Sequence, residues 1–212
     1  MDEKLYNEIK KKYGKHASWA VWGSNFKVPP YKEIAGKLKP NIVFVGLNPP
    51  DGIIMPLDNY HWKHPNTGNP GNDKKLRHAF EGTKLEGAYM TDIIKYDTIE
   101  NLGRATNSSV VMNYINNNPN VKAENIKRFK EELEFIGAEN PLLIALGGDA
   151  YRVLSEQFGD NFNLILIDPI RIKLIQIYHH SYRHKGCSDP EVYKKTVWQQ
   201  ISSCKIESIL KS

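Results

Sequence analysis

The sequence predicts an α/β protein, a three-layer α/β/α sandwich around a central, mainly parallel sheet of four to five strands. Two observations lead there. Strand-sized apolar runs such as Asn41–Leu47 and Pro141–Leu146 are continuous rather than alternating, as expected of strands covered on both faces. Amphipathic stretches fall between them, which is the pattern of parallel βαβ units. The chain has 212 residues, enough for one domain with a substantial core, and is read as a core over 41–212 preceded by a helical and irregular extension over 1–40.

Taken in order, Asp2–Tyr13 reads as a helix, followed by an irregular aromatic segment with Trp19, Trp22 and Phe26 and a short helix over Tyr31–Leu38. Asn41–Leu47 is a buried strand stopped by Asn48-Pro49-Pro50, because proline cannot continue the ladder. The segment Asp51–Asn72, rich in Pro, Gly, Asn and His, is long enough to be a functional loop. A helix over Asp73–Phe80 leads to a second strand, Ala88–Ile94. An Asn-rich turn at Asn116–Asn120 precedes an amphipathic helix over Lys122–Ile136, whose buried stripe is Ile126, Phe129, Leu133 and Ile136 and whose stop is Gly137. A third strand, Pro141–Leu146, ends at Gly147-Gly148, and the next helix buries Val153, Leu154 and Phe158. Leu164–Ile167 and Ile172–Tyr178 are further strands. The last helix starts after Ser188-Asp189-Pro190, an N-cap followed by proline in the first turn, and buries Tyr193, Val197, Ile201 and Cys204.

Composition narrows the classes. No apolar run is long enough for a membrane span, and the N-terminus lacks the apolar stretch of a secretory signal, so a cytoplasmic protein is expected. The two cysteines, Cys187 and Cys204, cannot supply the four thiolates of an iron–sulfur cluster or a structural zinc site. A net charge of +5 permits contact with phosphate without requiring it.

In parallel sheets ligands bind beyond the carboxyl ends of the strands, so the chemistry is sought just after each one. After the first, Gly46 allows close backbone approach and Asn48 presents a carboxamide that can orient a water through its oxygen. Asn48 also fits a plain turn made with its own backbone. After the last strand comes His179-His180-Ser181-Tyr182-Arg183-His184. A neutral histidine there can donate to an oxygen that gains charge as a bond breaks. Ser181 and Arg183 suit phosphate, and Tyr182 and Arg183 can insert beside bases. The three histidines of this run, with His61 and His64 elsewhere, raise a metal site as an alternative, but the run has no helical i,i+4 logic and no adjoining carboxylate.

Together these segments resemble the uracil-DNA glycosylase superfamily. Gly46-Leu47-Asn48-Pro49-Pro50 is similar to its first motif, G-x-N-P-G, and His179-His180-Ser181-Tyr182-Arg183 to its second, H-P-S followed by a wedge residue. Pro70-Gly71-Asn72 looks like the connecting segment, Tyr89–Lys95 like the base-reading strand, and Leu146–Ala150 like the third strand-to-helix junction. The pattern is most similar to the single-strand-selective monofunctional and mismatch-specific branches. The resemblance implies a monofunctional glycosylase that flips a damaged or deaminated base out of single- or double-stranded DNA and leaves an abasic site, acting as a monomer in base excision repair without metal or other cofactor. It assigns catalysis to Asn48 and His179, base binding to Gly46, Pro50, Tyr60 (or Trp62) and Asp92, and DNA contact to Ser181, Tyr182, Arg183 and Lys95, with the helix N-terminus near Ser188 as a further phosphate site.

Three positions depart from the family pattern. Pro50 stands where a small glycine is usual, His180 replaces a proline, and Asp92 occupies the place of an asparagine that reads uracil. An ionised aspartate only accepts hydrogen bonds, so it disfavours O4 of uracil; Asp92 can equally be a strand-end cap. Two other functions fit the residues: a non-catalytic nucleic-acid binder of this fold, or an enzyme acting on free nucleosides or nucleotides.

Overall fold

The computed structural model describes residues 1–14, 17–23, 28–49, 73–99, 107–158, 165–167 and 170–204. Pro50, Tyr60, Trp62, His61, His64 and the segment Pro70-Gly71-Asn72, all singled out by sequence, lie outside them.

Strands β1 (Ser18–Trp19), β2 (Lys39–Gly46), β3 (Ala88–Asp92), β4 (Leu142–Leu146), β5 (Ile165–Ile167) and β6 (Ile170–Ile177) form one sheet in the order β1-β3-β2-β4-β6-β5. The four central strands, β3, β2, β4 and β6, are mutually parallel, and the two edge strands are antiparallel. The sheet is therefore wider than the expected four to five strands by the two-residue β1, which is too short to carry a periodic signal. β1 pairs Trp19 with Tyr89, whose rings meet edge to face at 4.9 Å.

Strand periodicity sorts the side chains into two cores. Val43, Val45, Tyr89, Leu143, Ala145 and Leu174 face helices α1 (Glu3–Tyr13), α5 (Ser108–Asn117), α6 (Pro119–Phe135) and α7 (Gly148–Phe158). Phe44, Met90, Ile144, Leu146, Ile175 and Ile177 face α3 (Asp73–Phe80) and α8 (Pro190–Ser203). Two short helices, α2 (Tyr31–Ile34) and α4 (Tyr96–Ile99), complete the α-helices among the described residues, and a 3-10 turn covers His184–Gly186. Asp2 caps α1 by accepting from the Leu5 N–H at 2.8 Å, and Asp189 caps α8 with Pro190 in its first turn. Residues 1–40, expected as an extension, contribute Tyr6, Ile9 and Trp19 to the first core.

The Asn-rich segment departs from expectation. It is not a turn between a loop and a helix but the junction of two helices, with Asn118 the one residue between α5 and α6. Helix α5 carries two adjacent valines and three asparagines, poor intrinsic helix formers. It is held instead by its N-cap, Asn107, which accepts from the Val110 N–H at 3.0 Å, and by burial of Val111, Met112 and Ile115. Of the last helix's expected stripe, Tyr193, Val197 and Ile201 are buried, while Cys204 is only half-buried beyond its end.

A polar network crosses the first core. The Glu132 carboxylate on α6 accepts from the Tyr89 hydroxyl at 2.7 Å and from the Thr91 hydroxyl at 2.9 Å, and pairs with the Lys95 ammonium. Lys95 also donates to the Asp92 carbonyl at 2.7 Å and to the Thr91 hydroxyl at 3.1 Å. Its side chain is 3% exposed and that of Glu132 0%. This corrects the assignment of Lys95 to DNA contact: its ammonium is spent inside the protein, where no backbone phosphate reaches it. Removing one partner leaves an uncompensated buried charge, so Lys95→Met should lower stability by about 3–5 kcal/mol in urea unfolding, and the paired change Lys95→Met/Glu132→Leu should recover much of the loss.

Candidate active site at the carboxyl edge

Parallel register brings the candidate residues to one edge. Gly46 is paired with Asp92, Val45 with Ala145, and Leu146 with Ile177, so Asp92 at the end of β3 and Asn48, Gly147 and His179 just beyond β2, β4 and β6 all lie at strand ends that point the same way. The two-residue period then chooses the face. Asp92 follows Met90, and His179 follows Ile177, both members of the core under α3 and α8, and Asn48 lies two residues beyond Gly46 and four beyond Phe44 of the same core. The end of β3 is fixed further by Ile93 and Ile94, whose N–H groups donate to the Gly46 and Leu47 carbonyls at 3.0 and 2.9 Å.

His179 is half-buried, and its ring has a defined role. The Ser181 N–H donates to Nδ1 at 3.1 Å, and the Ser181 hydroxyl lies 2.7 Å from the same atom. Because a backbone N–H only donates, Nδ1 must accept, and the neutral ring carries its proton on Nε2. Burial pushes the imidazole down from its ordinary value to about 4, opposed by the Asp92 carboxylate and assisted by the Lys75 ammonium. His179 is thus a neutral N–H donor across the physiological range. Its ring lies 4.0 Å, centroid to centroid, from that of the buried His180.

Asn48 is half-buried, and its Nδ2 donates to the Pro49 carbonyl at 2.9 Å. The side chain thus makes a local contact with the adjoining backbone, which restrains the carboxamide that could orient water. Gly46 and Asp92 are buried, Asp92 completely. Gly147, at φ +93°, brings the β4–α7 junction against the histidine: a Cβ there would lie 3.3 Å from that of His179.

Ser181 and Arg183 are exposed, and Tyr182 is half-buried. The Tyr182 ring stacks on Tyr178 with centroids 4.2 Å apart and planes at 20°. The N-terminus of α8 does not suit phosphate as expected, because the Asp189 carboxylate already accepts from the Glu191 and Val192 N–H groups, at 2.8 and 3.1 Å. Sequence reasoning passed over Lys75. It is 5% exposed, and its ammonium donates to the carbonyls of Tyr182 and Cys187 at 3.1 and 2.9 Å, bracing the loop after His179. The lysine-rich start of α3 resembles an ordinary solvated helix face, which conceals it.

The family model of the uracil DNA glycosylase superfamily matches residues 34–202. The chain belongs to that superfamily. No curated protein matches it. Membership in the superfamily carries a DNA glycosylase-like function, with DNA as the substrate class, and the matched region contains every strand but β1. Among the described residues no group of His, Cys, Asp or Glu is arranged to hold a metal ion, and no helix is long and apolar enough to cross a membrane.

Two measurements check this geometry. The His179 imidazole should show the Nε2–H tautomer in nitrogen-edited NMR and remain neutral from pH 8 to 5. Its depressed value means that the unfolded chain takes up a proton which the folded one refuses, so stability should fall as pH drops from about 6.5 towards about 4. His179→Gln should remove that part of the slope. Gly147→Ala combines a strained φ with a crowded histidine and should cost about 1–3 kcal/mol in thermal or urea unfolding.

Proposed function

We propose that the protein is a monofunctional DNA glycosylase that hydrolyses the N-glycosidic bond of a flipped-out damaged or deaminated base, leaving an abasic site. The observation that carries this reading is the hydrogen bond from the Ser181 N–H to His179 Nδ1, which commits the neutral imidazole to donating from Nε2. A base leaving its sugar takes the bonding electron pair on its ring nitrogen, and the resulting negative charge spreads onto its exocyclic carbonyl oxygens. A fixed N–H donor aimed at such an oxygen stabilises the transition state more than the ground state. The sugar becomes oxocarbenium-like, and water adds to its anomeric carbon. The Asn48 carboxamide, restrained by its contact with the Pro49 carbonyl, would orient that water.

Among the described residues, Lys75 and Lys95 at this edge both have their ammonium groups engaged in internal hydrogen bonds, which favours water over either amine as the nucleophile. Gly46 would let the main chain approach the base, with Pro50 beside it and Tyr60 stacking on it. Ser181 and Arg183 would hold backbone phosphates. With Tyr182 already stacked on Tyr178, Arg183 is the better wedge into the gap left by the flipped base. Asp92 would read the edge of the base, and as an acceptor it favours bases presenting N–H groups there over uracil, whose O4 offers only lone pairs.

The test is abasic-site formation on single- and double-stranded oligonucleotides carrying uracil, hypoxanthine, xanthine or 5-modified pyrimidines. At least one should be cleaved, and His179→Ala should slow that cleavage about a hundred- to a thousandfold while DNA affinity holds. DNA binding without cleavage of any substrate would leave a non-catalytic binder; turnover of free nucleosides that DNA does not inhibit would leave a nucleoside enzyme. Asp92→Asn should raise the rate on uracil by at least about tenfold by restoring a donor. Robust wild-type uracil excision indifferent to this change would make Asp92 a structural cap.

A further inference from the structure

The Tyr182 N–H donates to the His179 carbonyl at 2.8 Å, and beyond that turn the main chain on both sides of His179 is held by side chains rather than by the sheet. Tyr178 lies one residue past β6. Its N–H donates to Gln200 Oε1 at 2.9 Å, and its carbonyl accepts from the Tyr193 hydroxyl at 2.9 Å. Both partners sit on α8, seven residues apart and so on one face of the helix. On the other side of His179, the Lys75 ammonium from α3 donates to the Tyr182 and Cys187 carbonyls, 5.4 Å from the centre of the Tyr193 ring. Helix α3 also receives a tie from α8, the Trp198 indole N–H donating to the Ala79 carbonyl at 2.9 Å.

Such an arrangement is costly for packing alone. An ammonium and a phenol are largely desolvated here, and burial of each is tolerable only with its hydrogen bonds made. Apolar side chains would join α3 and α8 to the sheet at less expense, and Leu76, Phe80, Val197 and Ile201 already do so. What the polar groups add is directional: they set the path of the chain from Tyr178 to Cys187, and with it the turn in which Ser181 meets Nδ1.

We propose that Tyr193, Gln200 and Lys75 are positioning residues, a clamp that holds His179 in its donor geometry from two helices that need not touch DNA. Its catalytic consequence rests on the glycosylase reading above; its structural consequence does not. Lys75 adds a field as well as a brace. The charged groups acting on the His179 ring are Asp92 from β3 and Lys75 from α3, with His180 alongside; Arg183 and Cys187 act in turn on Lys75.

The experiment compares Tyr193→Phe, Gln200→Met and Lys75→Met, each close in size to the original residue, by two readouts. In NMR, all three should disturb the Nε2–H tautomer signature of His179, and Lys75→Met should also raise its titration midpoint, because removing a nearby positive charge favours the imidazolium. In kinetics on a cleaved oligonucleotide, each should lose about ten- to a hundredfold in kcat with KM changed less than about twofold. That loss should vanish in a His179→Ala background, since a residue acting through His179 has nothing left to position. His179 signals that superpose on wild type in Tyr193→Phe and Gln200→Met would overturn the proposal, as would kinetic losses that persist undiminished without His179. If Lys75→Met does not fold, those two variants decide the question. If the histidine signals move but no oligonucleotide is cleaved, the clamp stands and the glycosylase reading falls.

Discussion

The parallel register of β3, β2, β4 and β6 is the constraint on which the rest of the molecule depends. Parallel pairing of these strands sends four chain exits to the same edge, and the pairing of Gly46 with Asp92 and of Leu146 with Ile177 sets how far each exit reaches. A slip of one residue in any strand would turn its whole side-chain set to the opposite face. Asp92 would then face the α6 side and Thr91 the cleft, and the Glu132 network that now holds Tyr89, Thr91 and Lys95 would come apart. The network is thus a register lock as much as a source of stability: buried polar groups find partners in one alignment only.

Two buried lysines near this edge solve the same problem differently, and the difference shapes the site. Lys95 meets a full countercharge in Glu132, so the pair is nearly neutral when seen from the cleft. Lys75 meets neutral carbonyls and the face of Tyr193, so burial pushes its ammonium down while its field remains available. Burial of the ring, with Asp92 pulling the other way and the Lys75 field assisting, keeps His179 uncharged. A neutral donor suits stabilisation of a departing anion: it supplies a directed dipole and does not need to lose a proton to the base.

The fold was legible in the sequence because its strands are continuous apolar runs and its helices carry caps and stops. Asp2, Asp189-Pro190 and Gly137 each end an element where expected, since capping is a local matter of one side chain and a few backbone groups. Elements with weak local signals were missed. Helix α5 forms against its own propensity because Val111, Met112 and Ile115 are buried, and β1 exists only because Tyr89 offers Trp19 a neighbour.

The same division runs through the site. Asn48, Asp92, Gly147 and His179 were identifiable from sequence because in a parallel sheet the residue after a strand is placed by topology, and topology follows from the order of elements. Which side chains turn inward is another matter, decided by long-range packing. Nothing local marks Lys95 or Lys75 as buried; tertiary structure gives one to Glu132 and the other to the Tyr182 and Cys187 carbonyls. The tautomer of His179, the occupation of the α8 N-terminus by Asp189, and the hold of Tyr193 and Gln200 on Tyr178 are likewise matters of ångström-scale distance between elements. Sequence by itself determined the strongly patterned strands and helices and the residues at their ends; only the packing of α3, α6 and α8 on the sheet decided which polar groups gather at the candidate site and which brace it, because hydrogen bonds depend on distances that no local pattern encodes.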